Sequence, residues 1–156
     1  MTNLSGGIAV SGAAGDIGHA ACQAINAAGG TAIGSDLKES SSIQVLDVCN
    51  EAAVIKWING IADFSGAVVN AATVCPTNVR EMTSDAWRKE IDVNLTGAFH
   101  MARAAAERLA TLGGGSIVFV GSWAADRPHP HIPAYSAAKA GLRMLMQCMA
   151  MEYAGD

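Results

Sequence analysis

Tyr135-Ser136-Ala137-Ala138-Lys139 sets a phenol and an ammonium at i and i+4, which on a helix is a single face. A free phenol, with a pKa of about 10, stays protonated at neutral pH, and a fixed cation beside it favours the phenolate. The pair is therefore suited to passing a proton to and from a substrate oxygen. Ser122 follows the apolar run Ile117-Val118-Phe119-Val120, and its hydroxyl is placed to hydrogen-bond the same oxygen.

A second cluster lies near the start of the chain. Ser11-Gly12-Ala13-Ala14-Gly15-Asp16-Ile17-Gly18 follows an apolar run and precedes a helical pattern. Glycines at 12, 15 and 18 allow a tight turn and a close backbone approach to a pyrophosphate, and the first-turn amides, Asp16 and Ile17 among them, point at it. Asp36 ends the next apolar run, where a carboxylate accepts hydrogen bonds from an adenosine ribose and repels a 2′-phosphate, favouring NAD over NADP. Lys38 pulls the other way. The competing readings are purely structural: glycines that only turn and pack, and Asp36 as a solvated loop acid. Asp16 suits the positive end of a helix, but its side chain has to point away from bound phosphates.

These groups need a scaffold. The expected strands are Gly7 to Ser11, Thr31 to Ser35, Ile43 to Leu46, Ala67 to Asn70 and Ser116 to Gly121. Their unbroken apolar character suits parallel strands covered on both faces. The expected helices are Asp16 to Ala28, Glu51 to Ile61, Asp85 to Leu112 and Ala134 to Tyr153, with Ser84 as an N-cap and Gly113 to Gly115 ending the third. The alternation predicts one α/β domain over 1–156, a doubly wound parallel sheet of Rossmann type with about five strands. Only Leu37 to Ser42 separates the second and third strands, too little for a crossover helix, so either a loop joins them or the third strand is short.

The chain has 156 residues, is 51% hydrophobic and 15% charged, and carries a net charge of -4. This excludes a disordered chain and argues against a nucleic-acid surface, which needs clustered Lys and Arg. Cys22, Cys49, Cys75 and Cys148 form no C-x-x-C pair and read as reduced thiols of a cytoplasmic protein. No signal peptide or membrane span is evident. His129-Pro130-His131 lacks neighbours with metal-ligand spacing, so no metal is expected and the segment reads as a substrate loop. Trp123 is a pocket or packing residue. Met144, Met146, Met149 and Met151 read as core or interface packing.

Taken together these residues resemble the short-chain dehydrogenase/reductase family, in its classical branch, from about residue 7 onward. Tyr135 and Lys139 match its Y-x-x-x-K motif, Ser122 its catalytic serine, Asn94 its structural asparagine, and Asp47-Val48 the adenine contact after the third strand. Asn70-Ala71-Ala72 matches the N-A-G segment, with Ala in place of Gly. The resemblance implies Tyr135 as general acid/base and Ser122 as the carbonyl-orienting group. Lys139 would bind the nicotinamide ribose, and Asn94 would hold a water that links Lys139 to solvent. It implies hydride transfer between NAD(H) and a secondary alcohol or ketone, and a homodimer or homotetramer. Two features depart from the pattern. Asp16 stands where glycine is common, giving the G-x-x-G-x-x-G spacing of the extended branch. The chain also stops soon after the catalytic helix, as a C-terminally truncated member would. A non-catalytic NAD-binding scaffold and a nucleotide-sugar epimerase or dehydratase remain as alternatives.

Overall fold

The computed structural model describes residues 4–40 and 42–155. The elements in order are β1 (Gly7–Ser11), α1 (Asp16–Ala27), β2 (Thr31–Asp36), β3 (Ile43–Val45), α2 (Glu51–Gly60), β4 (Phe64–Val69), α3 (Ser84–Ile91), a π-helical segment (Asp92–Gly97), α4 (Ala98–Leu112), β5 (Ser116–Phe119), a 3-10 turn (Trp123–Ala125) and α5 (Pro133–Glu152). The strands form one sheet in the order β3-β2-β1-β4-β5, every pair parallel. This is the doubly wound Rossmann-type α/β arrangement that the strand–helix alternation predicts.

β1 is central, and all five of its residues are buried, which is why it reads as continuously apolar. Alternate side chains feed two cores. Ile8 and Val10 meet Ala13 and Ile25 on the α1 side. Ala9, Ala67 and Val69 meet Val54, Ile58, Met101, Ala105, Leu109 and Leu142 on the side of α2, α4 and α5. The small residues of α4 (Ala98, Ala102, Ala105 and Ala106, all buried) let that helix lie close on the sheet. Arg108 of α4 closes the end of α2, donating to the carbonyls of Ile58 at 2.8 Å and of Ile61. Its guanidinium lies 5.5 Å from the centre of the Phe64 ring.

The link between β2 and β3 forms no helix among its described residues. Ile43 pairs with Gly34 while β2 continues to Asp36, so the chain drops back only about two residues, roughly 7 Å at the usual strand rise. A loop suffices for that.

Several expected boundaries are corrected. β2 runs on to Asp36, and β3 ends at Val45. β4 starts at Phe64 rather than Ala67 and ends before Asn70, whose backbone N–H turns to the Ser11 hydroxyl. β5 ends at Phe119. The helix expected over Asp85 to Leu112 is not one α-helix, because Asp92–Gly97 widens into a π turn, the form in which each N–H reaches five residues back. Its N-cap is Thr83, not Ser84: the Thr83 hydroxyl accepts the Ala86 N–H at 3.1 Å. Gly113 ends α4 in the left-handed conformation, as expected.

All four cysteines are free. Among the described residues no helix is long and apolar enough to cross a membrane, and no cluster of His, Cys, Asp and Glu could hold a metal ion.

Candidate active site

Gly12, Asp36, Asp47, Asn70 and Ser122 lie at or just beyond the carboxyl ends of β1 to β5, where parallel α/β sheets bind ligands. Asn94 lies in the π segment, and Tyr135 and Lys139 lie on α5. β1 leads into the glycine turn. Gly12 has φ +69, and a Cβ there would stand 2.8 Å from Ala71 Cα, so a side chain would push β1 from the loop after β4. At Gly18 a Cβ would stand 2.1 Å from the Gly12 carbonyl oxygen, so the turn closes only on glycine. Gly15 is the N-cap of α1 and offers no side chain to it. The first turn of α1 therefore has no side-chain cap, which leaves its amides open to another acceptor. The side chains of Asp16 and Ile17 are exposed.

Asp36 is held by two backbone amides. One carboxylate oxygen accepts the Ala14 N–H and the other the Lys38 N–H, each at 3.0 Å. A cleft of about 260 Å³ opens beside it, bounded by Gly12, Leu37, Asp47, Val48, Ala72 and Val93. The Asp47 carboxylate accepts the Cys49 N–H at 2.9 Å. Burial first, and then Asp47 and Asp92, push the Cys49 thiol up to about 11, so it is not a thiolate nucleophile at neutral pH.

The loop after β4 is held from both sides. The buried Ser11 hydroxyl accepts the N–H groups of Asn70 and Ala71 at 3.0 and 3.1 Å. The Asn70 amide donates to the carbonyls of Ser11 and Gly12 at 2.9 and 3.2 Å. From the other side Asn94, buried in the π segment, accepts the Thr73 N–H and donates to the Thr73 carbonyl, both at 2.7 Å. One turn earlier, Glu90 accepts the Cys75 N–H at 2.8 Å. Ser11 and Glu90 are absent from the sequence-based site. Ser11 precedes the glycine turn directly, yet no spacing announces its role, and Glu90 is a lone acid on an amphipathic helix.

Tyr135 and Lys139 share a face of α5, as their spacing requires. Lys139 is buried, and its ammonium donates to the Val120 carbonyl at 2.7 Å and lies 5.7 Å from the centre of the Tyr135 ring. Burial lowers its pKa from the ordinary lysine value. The bond to Val120 fixes α5 over the end of β5, two residues before Ser122. Ser122 lies beyond the strand and caps the 3-10 turn, its oxygen accepting the Ala124 N–H at 3.2 Å. That leaves the hydroxyl proton free to donate. An ion pair between Arg143 of α5 and Asp126 ties this turn to α5, and Trp123 stacks edge-on against His129, ring centres 5.0 Å apart. The π segment with Asn94 packs on α5, where Gly141 meets Leu95.

Comparison with known proteins places the chain. Residues 41–156 match the family model described as short chain dehydrogenase. An uncharacterized oxidoreductase of Schizosaccharomyces pombe is 30% identical over 159 residues, covering 94% of this chain and 60% of that protein. The structure of an NAD+-bound xylitol dehydrogenase superposes with a TM-score of 0.90 at 25% identity, covering 99% of this chain and 67% of that one. A gluconate 5-dehydrogenase of Burkholderia cenocepacia, in complex with NADP and tartrate, gives the same score at 24% identity, covering 98% and 68%. The chain spans between 34% and 63% of the length of the curated relatives it matches. The parallel sheet, the glycine turn and the family match lead to one conclusion: the chain belongs to the short-chain dehydrogenase family of oxidoreductases.

Proposed function

We propose that the chain forms the cofactor-binding and catalytic core of an oxidoreductase acting on a secondary alcohol or ketone, with NAD preferred over NADP. The observation that carries this is the buried Lys139 ammonium, anchored on Val120 beside the Tyr135 ring. Bound NAD(H) supplies the hydride chemistry. The glycine turn and the uncapped start of α1 hold the pyrophosphate. The fixed Asp36 carboxylate takes the adenosine ribose hydroxyls and repels a 2′-phosphate. Ala71 and Ala72 line the same cleft as Asp36 and Asp47, and Asn70 holds the loop that carries them against the glycine turn.

On the substrate side Tyr135 gives its phenolic proton to the carbonyl oxygen in reduction and takes it back in oxidation. The Ser122 hydroxyl donates to the same oxygen, which its bond from Ala124 leaves it free to do. Lys139 has three N–H donors, one of them committed to Val120. The other two serve the nicotinamide ribose, with the ammonium 5.7 Å from the Tyr135 ring centre. Asn94 orders a water that links Lys139 to solvent. We place self-association, as a homodimer or homotetramer, on α4 and α5, where Met144 and Met151 are 58% and 82% exposed.

The test compares NADH-dependent reduction of a ketone panel by wild type and Tyr135→Phe. The variant is expected to lose at least about a hundredfold in rate while still binding NADH. Equal rates would remove Tyr135 from the mechanism. NADH binding without turnover of any alcohol or ketone would identify a scaffold. Tightly held NAD with no net consumption would point to epimerase or dehydratase chemistry on a nucleotide sugar.

A further inference from the structure

The turn that follows β3 forms one wall of the cleft beside Asp36, through Asp47 and Val48. The sheet does little to hold it. β3 has three residues and lies at the sheet edge, and its last ladder bond runs from Leu46 N–H to the Asp36 carbonyl at 2.9 Å. Beyond that point the turn bonds to itself, Cys49 N–H to the Asp47 carboxylate and Asn50 N–H to the Asp47 carbonyl. It then passes into α2 through the Asn50 cap.

Among the described residues one hydrogen bond joins this turn to a distant part of the chain. His100 Nδ1 lies 3.1 Å from the Val48 carbonyl oxygen. A carbonyl only accepts, so Nδ1 carries the hydrogen. The same surface meets the turn at two further points. Val48 packs on Gly97, where a Cβ would stand 2.6 Å from Val48 Cγ2. Arg103 pairs with Glu51, the first residue of α2, while its guanidinium stacks 4.9 Å from the Phe99 ring centre. Gly97, His100 and Arg103 recur every three residues and form one stripe. That stripe seats the turn and its entry into α2.

We infer that His100 is a positioning residue for the adenosine half of the dinucleotide, holding the Asp47–Val48 wall at the spacing an adenine ring needs. The inference rests on the dinucleotide reading above. It deepens that reading, because His100 touches neither the expected cofactor nor the reacting atoms. A loose edge turn pays an ordering cost on binding, and a preformed one does not. His100 supplies that preorganisation from 52 residues away in sequence.

The experiment titrates ADP-ribose and reduced nicotinamide mononucleotide against full-length wild type, H100F and H100Q, with thermal unfolding of each. H100F keeps a ring and loses the donor, while H100Q restores a donor. H100F is expected to raise the Kd for ADP-ribose about tenfold, the scale of one hydrogen bond. The mononucleotide, which has no adenine, should bind as it does to wild type, and H100Q should recover most of the ADP-ribose affinity. Should H100F not fold, H100A gives the same comparison. Unchanged ADP-ribose affinity, or equal losses for both ligands, overturns the assignment of His100. Failure of wild type to bind ADP-ribose overturns the dinucleotide reading itself, and this inference with it.

Discussion

The Lys139 ammonium donates to the Val120 carbonyl at 2.7 Å from a side chain that is 3% exposed. No carboxylate pairs with it among the described residues. A buried cation with one neutral partner stands at a disadvantage to its neutral form, so its folded pKa lies below the unfolded lysine value. Between those two values the unfolded chain holds more protons than the folded one, and stability therefore rises with pH across that window. Lys139→Met is expected to unfold at a temperature equal to or above wild type at pH 7. The wild-type deficit should shrink as pH climbs toward about 10.5. Calorimetry of both proteins from pH 7 to 10 checks this, and a deficit that stays constant with pH would sink it.

Asp36 has two tasks. It accepts the Ala14 and Lys38 amides, and in the proposed function it presents charge to the adenosine ribose. Asp36→Asn keeps an acceptor for one amide and removes the charge. The preference for NADH over NADPH should therefore narrow by about tenfold or more, the loss of one charge-assisted contact. Fluorescence titration of both cofactors measures the ratio. An unchanged ratio would assign discrimination elsewhere, with Lys38 as the first candidate.

Asn94 satisfies both backbone groups of Thr73 from a buried position. Asn94→Ala leaves an N–H and a C=O without partners, at about 1–3 kcal/mol each before water enters. A loss of about 2–4 kcal/mol in urea unfolding is expected, together with weaker cofactor binding, because Thr73 borders the cleft. Asn94→Asp keeps the acceptor for the Thr73 N–H and loses the donor, and it should fall between the two. A loss under about 1 kcal/mol for the alanine variant would mean that Thr73 finds other partners.

Arg108 donates to two carbonyls at the end of α2 and lies over Phe64. Arg108→Met keeps much of the side-chain packing and loses those donors. It should cost about 2 kcal/mol in unfolding free energy without changing the cofactor Kd, because α2's far end does not border the cleft. A change in Kd with no change in stability would reverse that assignment.

The separation between what residues announce and what packing decides is visible position by position. Gly12 and Gly18 are legible because the tight turn leaves no room for a Cβ at either point, and Gly15 because it recurs at their spacing. Tyr135 and Lys139 are legible because helical periodicity alone places them on one face. The parallel sheet is legible in strands that are apolar on both faces. All of these are local consequences of backbone geometry and of the hydrophobic effect.

Other features depend on residues far apart in sequence. Asn94 reads as a polar residue in a long helix, but its bonds to Thr73 and the π turn around it exist only once that helix packs beside β4. Ser11, Glu90 and His100 bear no local mark, since each acts on a backbone group 15 to 60 residues distant. The extra length of β4 follows from strand register, which the sheet sets as a whole. Sequence thus determined the elements and the chemically able side chains, through short-range sterics and burial pattern. Tertiary structure decided which backbone groups those side chains restrain, because a hydrogen bond across the fold needs both partners already in place.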